Sequence, residues 1–223
     1  MTAGNKGEVR LEEPDRGELT TIRRGAESRA TVPDLDLTIE VDCSAALSLP
    51  QSLTAALVKA CALALRATPR ANGSYRDGRF ELYSRVNIAV SDGGIDPSSA
   101  PTILDADTKP LSEIDQEVSR LVARAREGSL STGERSGATF TLIDIGSLGA
   151  VSATPLVIPP QAACIAAGAS REVVASRDGL PASVSVALLT LAFDQRILDW
   201  PLASSFLAKV KAHLEDPSGG LAL

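Results

Sequence analysis

The stretch SVSVALLTLAF at residues 183–193, with DQRILDW at 194–200 directly after it, decides the fold class. The first part is apolar on both of its alternating sides, so it reads as a strand covered on both faces. Such a strand belongs inside a sheet or at a subunit contact. The charged turn then leads to Pro201, which suits the first position of a helix, and Leu202, Phe206, Val210 and Leu214 recur at four-residue spacing. A buried strand running into an amphipathic helix points to a mixed α/β domain.

Upstream lie two further strand candidates, QAACIAAGAS (161–170) and ATFTLID (138–144). Ahead of Gly128 and Gly133, Ser112 and Asp115 stand at capping-box spacing, with Asp in place of the usual Glu. The helix they open carries a stripe of Ile114, Val118, Leu121, Val122 and Ala125, with charge on its opposite face. RFELYSRVNIAVSD (79–92) reads as two strand-like pieces, closed by a Gly-Gly loop that continues to Ala100. Ser52 can cap a helix through LTAALVKACALALRAT, to about Thr68, that is apolar almost all round and therefore buried. Leu35, Leu37, Ile39 and Val41 alternate with Asp36, Thr38, Glu40 and Asp42, giving a strand with one wet face. Residues 1–17 combine Gly, Pro and charge with almost no apolar content and are expected to form a flexible tail, with residues 18–223 as one domain.

At 223 residues and 44% hydrophobic content, the chain can bury one core of ordinary size. Its 28 acidic residues outnumber 22 basic ones, and no stretch concentrates Lys and Arg enough to attract a polyanionic backbone, which argues against nucleic acid as a partner. The N-terminus has no hydrophobic signal region and no apolar run approaches membrane-spanning length, so a soluble protein with no membrane partner is expected, and the cysteine pattern implies a cytoplasmic one. Cys43, Cys61 and Cys164 are widely spaced in apolar surroundings, which suits reduced core thiols and neither a disulfide framework nor a metal site.

General motifs carry little. No dinucleotide or Walker loop, zinc helix or Cys-x-x-Cys pair occurs, and DIGSLGA departs from the nucleophile-elbow pattern, leaving Ser147 as a turn residue. The single histidine, His213, sits near the end of the last helix, where a cation is favourable without any catalytic duty.

Colinear motifs say more. VKACALALRATPRANGSY (58–75) resembles the buried helix and Pro-x-x-Asn turn of the 2-oxo acid dehydrogenase acyltransferase catalytic domain. DADTKPLSEIDQEVSRLVARAREGSL (105–130) is similar to that family's Asp-Ala-Asp segment, amphipathic helix and Gly-x-Leu stop. ATFTLIDIGSLGA, PPQAACIAAGAS and FDQRILDW resemble its Thr-Phe-Thr strand, Pro-Pro-Gln strand and Asp-His-Arg-x-x-Asp-Gly signature. Together these cover about residues 18–216. The resemblance implies a chloramphenicol-acetyltransferase-like α/β fold and a homotrimer with active sites between subunits. It implies coenzyme A, or acetyl-CoA, as co-substrate, entering a channel opposite the acceptor, with no metal. Asp105, Asp107 and Ser112 fall in the segment associated there with coenzyme A binding.

In that family a signature histidine removes the acceptor's proton, and a Ser or Thr hydroxyl of the neighbouring subunit stabilises the oxyanion. Here the histidine position is Gln195 and the hydroxyl position is Ile143. A carboxamide cannot act as a general base, a role worth ~10²–10⁴ in rate, and loss of one oxyanion donor can cost ~10²–10³. Thr139, Thr141 and Ile143 alternate along one strand and should face one side, so Thr141 offers a displaced hydroxyl. Asp194 and Arg196 survive as a structural frame, and Asp199 is placed with Gln195 in the catalytic loop. Trp200 stands where the family has glycine; with Pro201 following, an extended backbone is expected there, its indole either narrowing the acceptor end of the channel or packing on the next subunit.

Lipoyl domain and Ala- and Pro-rich linkers are not seen, so no lipoyl group is expected on this chain. Two functions follow from the resemblance and its departures. One is a stand-alone acyltransferase that passes an acyl group from acyl-CoA to a small-molecule or carrier-bound acceptor, such as the hydroxyl of a tetronate intermediate. The other is an inactive relative that serves as a trimeric scaffold, regulator or ligand-binding module.

Overall fold

The structure, a computed structural model, describes residues 7, 9–177 and 179–221. Its helices are α1 (Arg16–Thr31), α2 (Ser44–Leu47), α3 (Leu53–Arg66), α4 (Leu111–Arg126) and α5 (Trp200–Glu215). Its strands are β1 (Asp34–Asp42), β2 (Gly73–Arg76), β3 (Arg79–Leu82), β4 (Ile88–Asp92), β5 (Thr102–Ile103), β6 (Phe140–Asp144), β7 (Ala163–Ala167), β8 (Arg171–Arg177) and β9 (Leu180–Asp194).

The main sheet runs β1-β9-β7-β6-β4-β5, with β4, β6 and β7 parallel and β1, β9 and β5 antiparallel to their neighbours. As its apolar composition requires, β9 lies in the interior, paired on one side with β1 and on the other with β7 and then β8. From β7 to β8 the pairing with β9 slips by one residue, at Gly168–Ser170, so the two strands form one long, kinked arm of a hairpin. Gly168 is required at this kink, because a Cβ there would stand 1.8 Å from the carbonyl oxygen of Val151.

One face of the sheet carries Leu37, Ile39, Leu191, Phe193, Ile165, Leu142 and Ile88 into the core with α3, α4 and α5. There Phe140 and Phe206 meet at 5.6 Å between ring centroids. Helix α3 is covered nearly all round, as expected, and Ser52 caps it by accepting from the Ala55 N–H at 3.2 Å. Burial extends to Lys59, whose Nζ donates to the carbonyls of Asp107 at 3.0 Å and Lys109 at 2.7 Å. Burial pushes its pKa down, against the pull of the Asp107 charge.

Several expectations need correction. Arg16 and Gly17, assigned by composition to the tail, form the first turn of α1, which Asp15 and Glu18 close by a reciprocal capping box at 2.8 Å. The rest of the tail expectation falls partly on residues 1–6 and 8, outside the described residues. Ser112 and Asp115 do not cap α4: Pro110 is its N-cap and has no side-chain group to bond, while Asp115, further into the helix, accepts from Ser52. The segment before Arg79 is half of a hairpin, β2–β3, whose turn uses positive φ at Asp77 and Gly78. Trp200 is helical, and the extended residue is Asp199, since the cap must lie outside the helix. None of the described helices is long and apolar enough to cross a membrane.

Candidate active site

Asp194 ends β9, with its N–H donating to the carbonyl of Ala162 at 2.8 Å; the Gln195 N–H reaches that of Pro33 at 3.1 Å. The buried Asp194 carboxylate is gripped by Arg196: Nε lies 2.9 Å from Oδ1 and Nη2 2.6 Å from Oδ2, while the Arg196 backbone N–H also meets Oδ1 at 2.9 Å. Hydrogen bonding to Asp194 holds the Arg196 pKa above its usual value, against the opposing effect of burial. The guanidinium lies over Tyr75, 4.8 Å from the ring centroid. At the far end of the loop, Asp199 spends its carboxylate on the Leu202 N–H at 2.9 Å, capping α5. Trp200 packs edge-on to Phe193 at 5.5 Å with half of its surface exposed. The loop is fixed at both ends, and Gln195 is presented outward between them.

The other face of the sheet is built of small and hydroxyl-bearing residues. Strand register aligns Thr102, Ala89, Thr141, Cys164 and Ala192 in one row, and Ser91, Ile143, Ala166, Thr190 and Thr38 in another. Thr141 and Ile143 thus share this face, as their alternation requires. Helix α1 and residues 156–161 lie across it, anchored by Ser28 Oγ to the Val157 carbonyl at 2.6 Å and by Arg24 to the Ser98 carbonyl. Two adjoining cavities remain beneath them. One of about 190 Å³ has Ile143, Val157, Pro159 and Ser28 in its wall; the other, about 210 Å³, reaches Thr141 and Gln161. The Thr141 Oγ1 is fully buried and lies 2.9 Å from Gln161 Oε1, to which it donates. Thr139 exchanges hydrogen bonds with the Asn87 backbone at 3.0 and 3.1 Å.

Gln195 and Ile143 are not neighbours within one chain. About five residues of strand rise and two strand spacings separate them, on the order of 20 Å. Asp105 and Asp107 do come together with arginines. Asp105, in the left-handed region at φ 50°, pairs with Arg85, and this hydrogen bond lowers its pKa. Asp107 meets Arg66 at 3.2 Å. Ser112 is exposed in the first turn of α4.

Ser147 lies in a short turn and donates to Asp92 at 2.8 Å. His213 has its pKa lowered by burial. The three cysteines are free and buried, which pushes the thiols of Cys43 and Cys61 up to about 11 and about 12. Among the described residues no group of three His, Cys, Asp or Glu could hold a metal ion. Sequence reasoning passed over Gln161, although it stands in the quoted PPQ motif, and over Thr102, Arg24 and Arg135, which only the folded chain gathers around Thr141.

Known proteins share this architecture. The dihydrolipoyllysine-residue acetyltransferase component of the pyruvate dehydrogenase complex of Zymomonas mobilis subsp. mobilis is 33% identical over 216 residues, covering 90% of this chain and 48% of that protein. The chain therefore spans about half the length of this curated relative. The cubic core of the pyruvate dehydrogenase multienzyme complex matches with a TM-score of 0.87 at 21% identity, over 96% of this chain and 95% of that one. A chloramphenicol acetyltransferase matches with a TM-score of 0.53 at 17% identity, over 90% and 98% of the two chains, which bears out the expected fold. Residues 20–222 match the sequence profile named 2-oxoacid dehydrogenases acyltransferase (catalytic domain), and the chain belongs to that family.

Proposed function

We propose that this chain is an acyltransferase that moves an acyl group, acetyl in the simplest case, from acyl-CoA to an acceptor other than a lipoyl group. The acceptor is a hydroxyl of a small or carrier-bound biosynthetic intermediate, a tetronate being one example. The observation that carries this reading is the retained Asp105–Asp107 segment, with its carboxylates paired to Arg85 and Arg66, in a chain of the acyltransferase family. Because Gln195 and Ile143 lie far apart within one chain, a site that uses both walls needs two subunits, and we assign a cytoplasmic homotrimer. The likeness to a cubic core supports a larger assembly as well.

In the reaction the acyl carbon leaves the thioester sulfur for the acceptor oxygen, and the acceptor's proton ends on the departing thiolate. Gln195 orients the acceptor by hydrogen bonding and removes no proton. Thr141 supplies a hydroxyl to the oxyanion once it exchanges its bond to Gln161. Asp199 and Arg196 fix the loop, and Ile143 and Trp200 shape the channel. On the donor side, Asp105 and Asp107 hold Arg85 and Arg66 at the surface, where guanidiniums suit the phosphates of coenzyme A, and Ser112 offers an exposed hydroxyl on α4. An acidic acceptor and proximity offset part of the missing base.

The second reading is a trimeric scaffold or ligand-binding module, favoured by the joint loss of base and oxyanion donor at Gln195 and Ile143. Thermal unfolding with acetyl-CoA separates the two. Saturation at 100 times Kd should stabilise the protein by about 2.7 kcal/mol, and no shift would sink the transferase reading. Stabilisation without acyl transfer to any hydroxyl acceptor would favour the ligand-binding module.

A further inference from the structure

Two threonines flank an alanine beneath α1. Ala89 of β4 is paired with Thr102 of β5 on one side and Thr141 of β6 on the other. The methyl of Ala89 leaves room above the sheet, and the cavity of about 210 Å³ stands there with a threonine at each flank. The Thr141 hydroxyl is committed to Gln161. Thr102 Oγ1 is different: the residue is only 5% exposed, yet this oxygen has no hydrogen-bond partner among the described residues. Folded chains rarely leave a buried hydroxyl unpaired, and one that lines a cavity is a hydrogen-bonding group for what enters it.

The same cavity is lined by Arg24 of α1 and Arg135 of the segment before β6. Arg24 donates to the Ser98 carbonyl, and neither guanidinium has a carboxylate partner among the described ion pairs. Among the described residues Glu27 is the one acid in the wall, against two cations, in a chain whose net charge is −6. A planar guanidinium matches a carboxylate in two parallel hydrogen bonds.

We propose that this cavity takes the carboxylate end of a small hydroxy or keto acid, with the carboxylate held by Arg24 and Arg135 and a second oxygen bonded to Thr102 Oγ1. The inference rests on the acyl-transfer reading and deepens it: one of the two substrates, the transferred acyl group or the acceptor, is an acid.

The test is thermal unfolding of the full chain at constant ionic strength, with 3-hydroxybutanoate, its neutral amide and inorganic phosphate as probes. The acid should stabilise the protein in a saturable way, with the amide and phosphate at least tenfold weaker. Thr102→Val keeps the shape and removes only the unpaired hydroxyl, and Arg135→Gln alters an exposed side chain, so both should fold and both should weaken the acid tenfold or more. Equal binding of acid and amide, preference for phosphate, or native affinity in both variants would overturn the proposal. Coenzyme A esters distinguish the source. If the acyl group is the acid, succinyl-CoA binds tenfold tighter than acetyl-CoA and competes with 3-hydroxybutanoate. If the acceptor is the acid, acetyl-CoA and 3-hydroxybutanoate bind together. Acid binding without any coenzyme A ester binding would keep the cavity and reject acyl transfer; the reverse pattern would do the opposite.

Discussion

Asp115 serves the helix beside its own: its Oδ1 accepts from both the N–H and the Oγ of Ser52, at 3.0 and 2.6 Å, while Ser52 caps α3. The two helices are therefore joined near their N-termini. Replacing Asp115 with Ala should cost about 1 kcal/mol, the usual worth of an exposed cap, and lower Tm by about 2–4 °C. Denaturant titration of D115A, S52A and the double variant checks it; strict additivity of the two losses would show the contact to be idle.

Arg196→Met should be far more damaging than Gln195→Ala. The first strands the buried Asp194 carboxylate, at a cost of about 3 kcal/mol, the lower end for such pairs because about a third of the Arg196 side chain is open to water. The second removes an exposed side chain. Equilibrium unfolding of both variants would expose an error if they came out alike.

The signature loop, residues 194–200, contains no histidine, and His213 lies in the last turn of α5. Slow acetyl-CoA hydrolysis, with water as acceptor, should therefore lack a bend between about pH 6 and 8, where an ordinary histidine would titrate. Gln195→His should introduce one and raise the rate above it. A native profile that already bends near 6.5 would mean that an unassigned base is present.

Val174 is 79% exposed on β8 and Leu180 is 70% exposed on β9, at the far end of the hairpin from the sheet centre. An uncovered apolar edge of this kind calls for a partner. If this edge lies in the proposed trimer contact, Val174→Glu should shift the assembly toward monomer in sedimentation velocity, leaving its far-ultraviolet dichroism unchanged. An unaltered sedimentation coefficient would remove this hairpin from the contact.

Glu134 has its carboxyl held at about 2 rather than 4.5, by the N–H and Oγ of Ser131 first and by Arg124 and Arg120 after them. A depressed carboxylate stabilises the fold fully above its unfolded value and ceases to do so as pH falls through the folded one. Acid unfolding of Glu134→Gln should therefore lose slope between pH 4.5 and 2 compared with the native chain. Identical acid limbs would contradict this assignment.

Helices α3, α4 and α5 and strand β1 were legible because each presents a regular apolar face or surface to one core. Strand β8 gave no such signal, being exposed along both sides, and α1 leaves Leu19 and Ile22 facing water with no stripe to find. The Asp77–Gly78 pair is a local hairpin signal, since both residues take the positive φ that such a turn needs. Gln195 and Ile143 stood out only as departures from a family pattern. Thr102 and Arg135 could not be found that way, because strand register, and not spacing in the chain, sets Ala89 between two threonines.

Strand β9 also sets the order in which the molecule can be made. Leu35 pairs with Phe193 and Thr38 with Thr190, so Thr38 is made 152 residues ahead of its partner and β1 waits for β9 to follow. Pairing over such long sequence separations is slow, because loop-closure entropy must be met before the contact forms. The alternating charges of β1, Asp36, Glu40 and Asp42 among them, keep its waiting edge from joining another nascent chain.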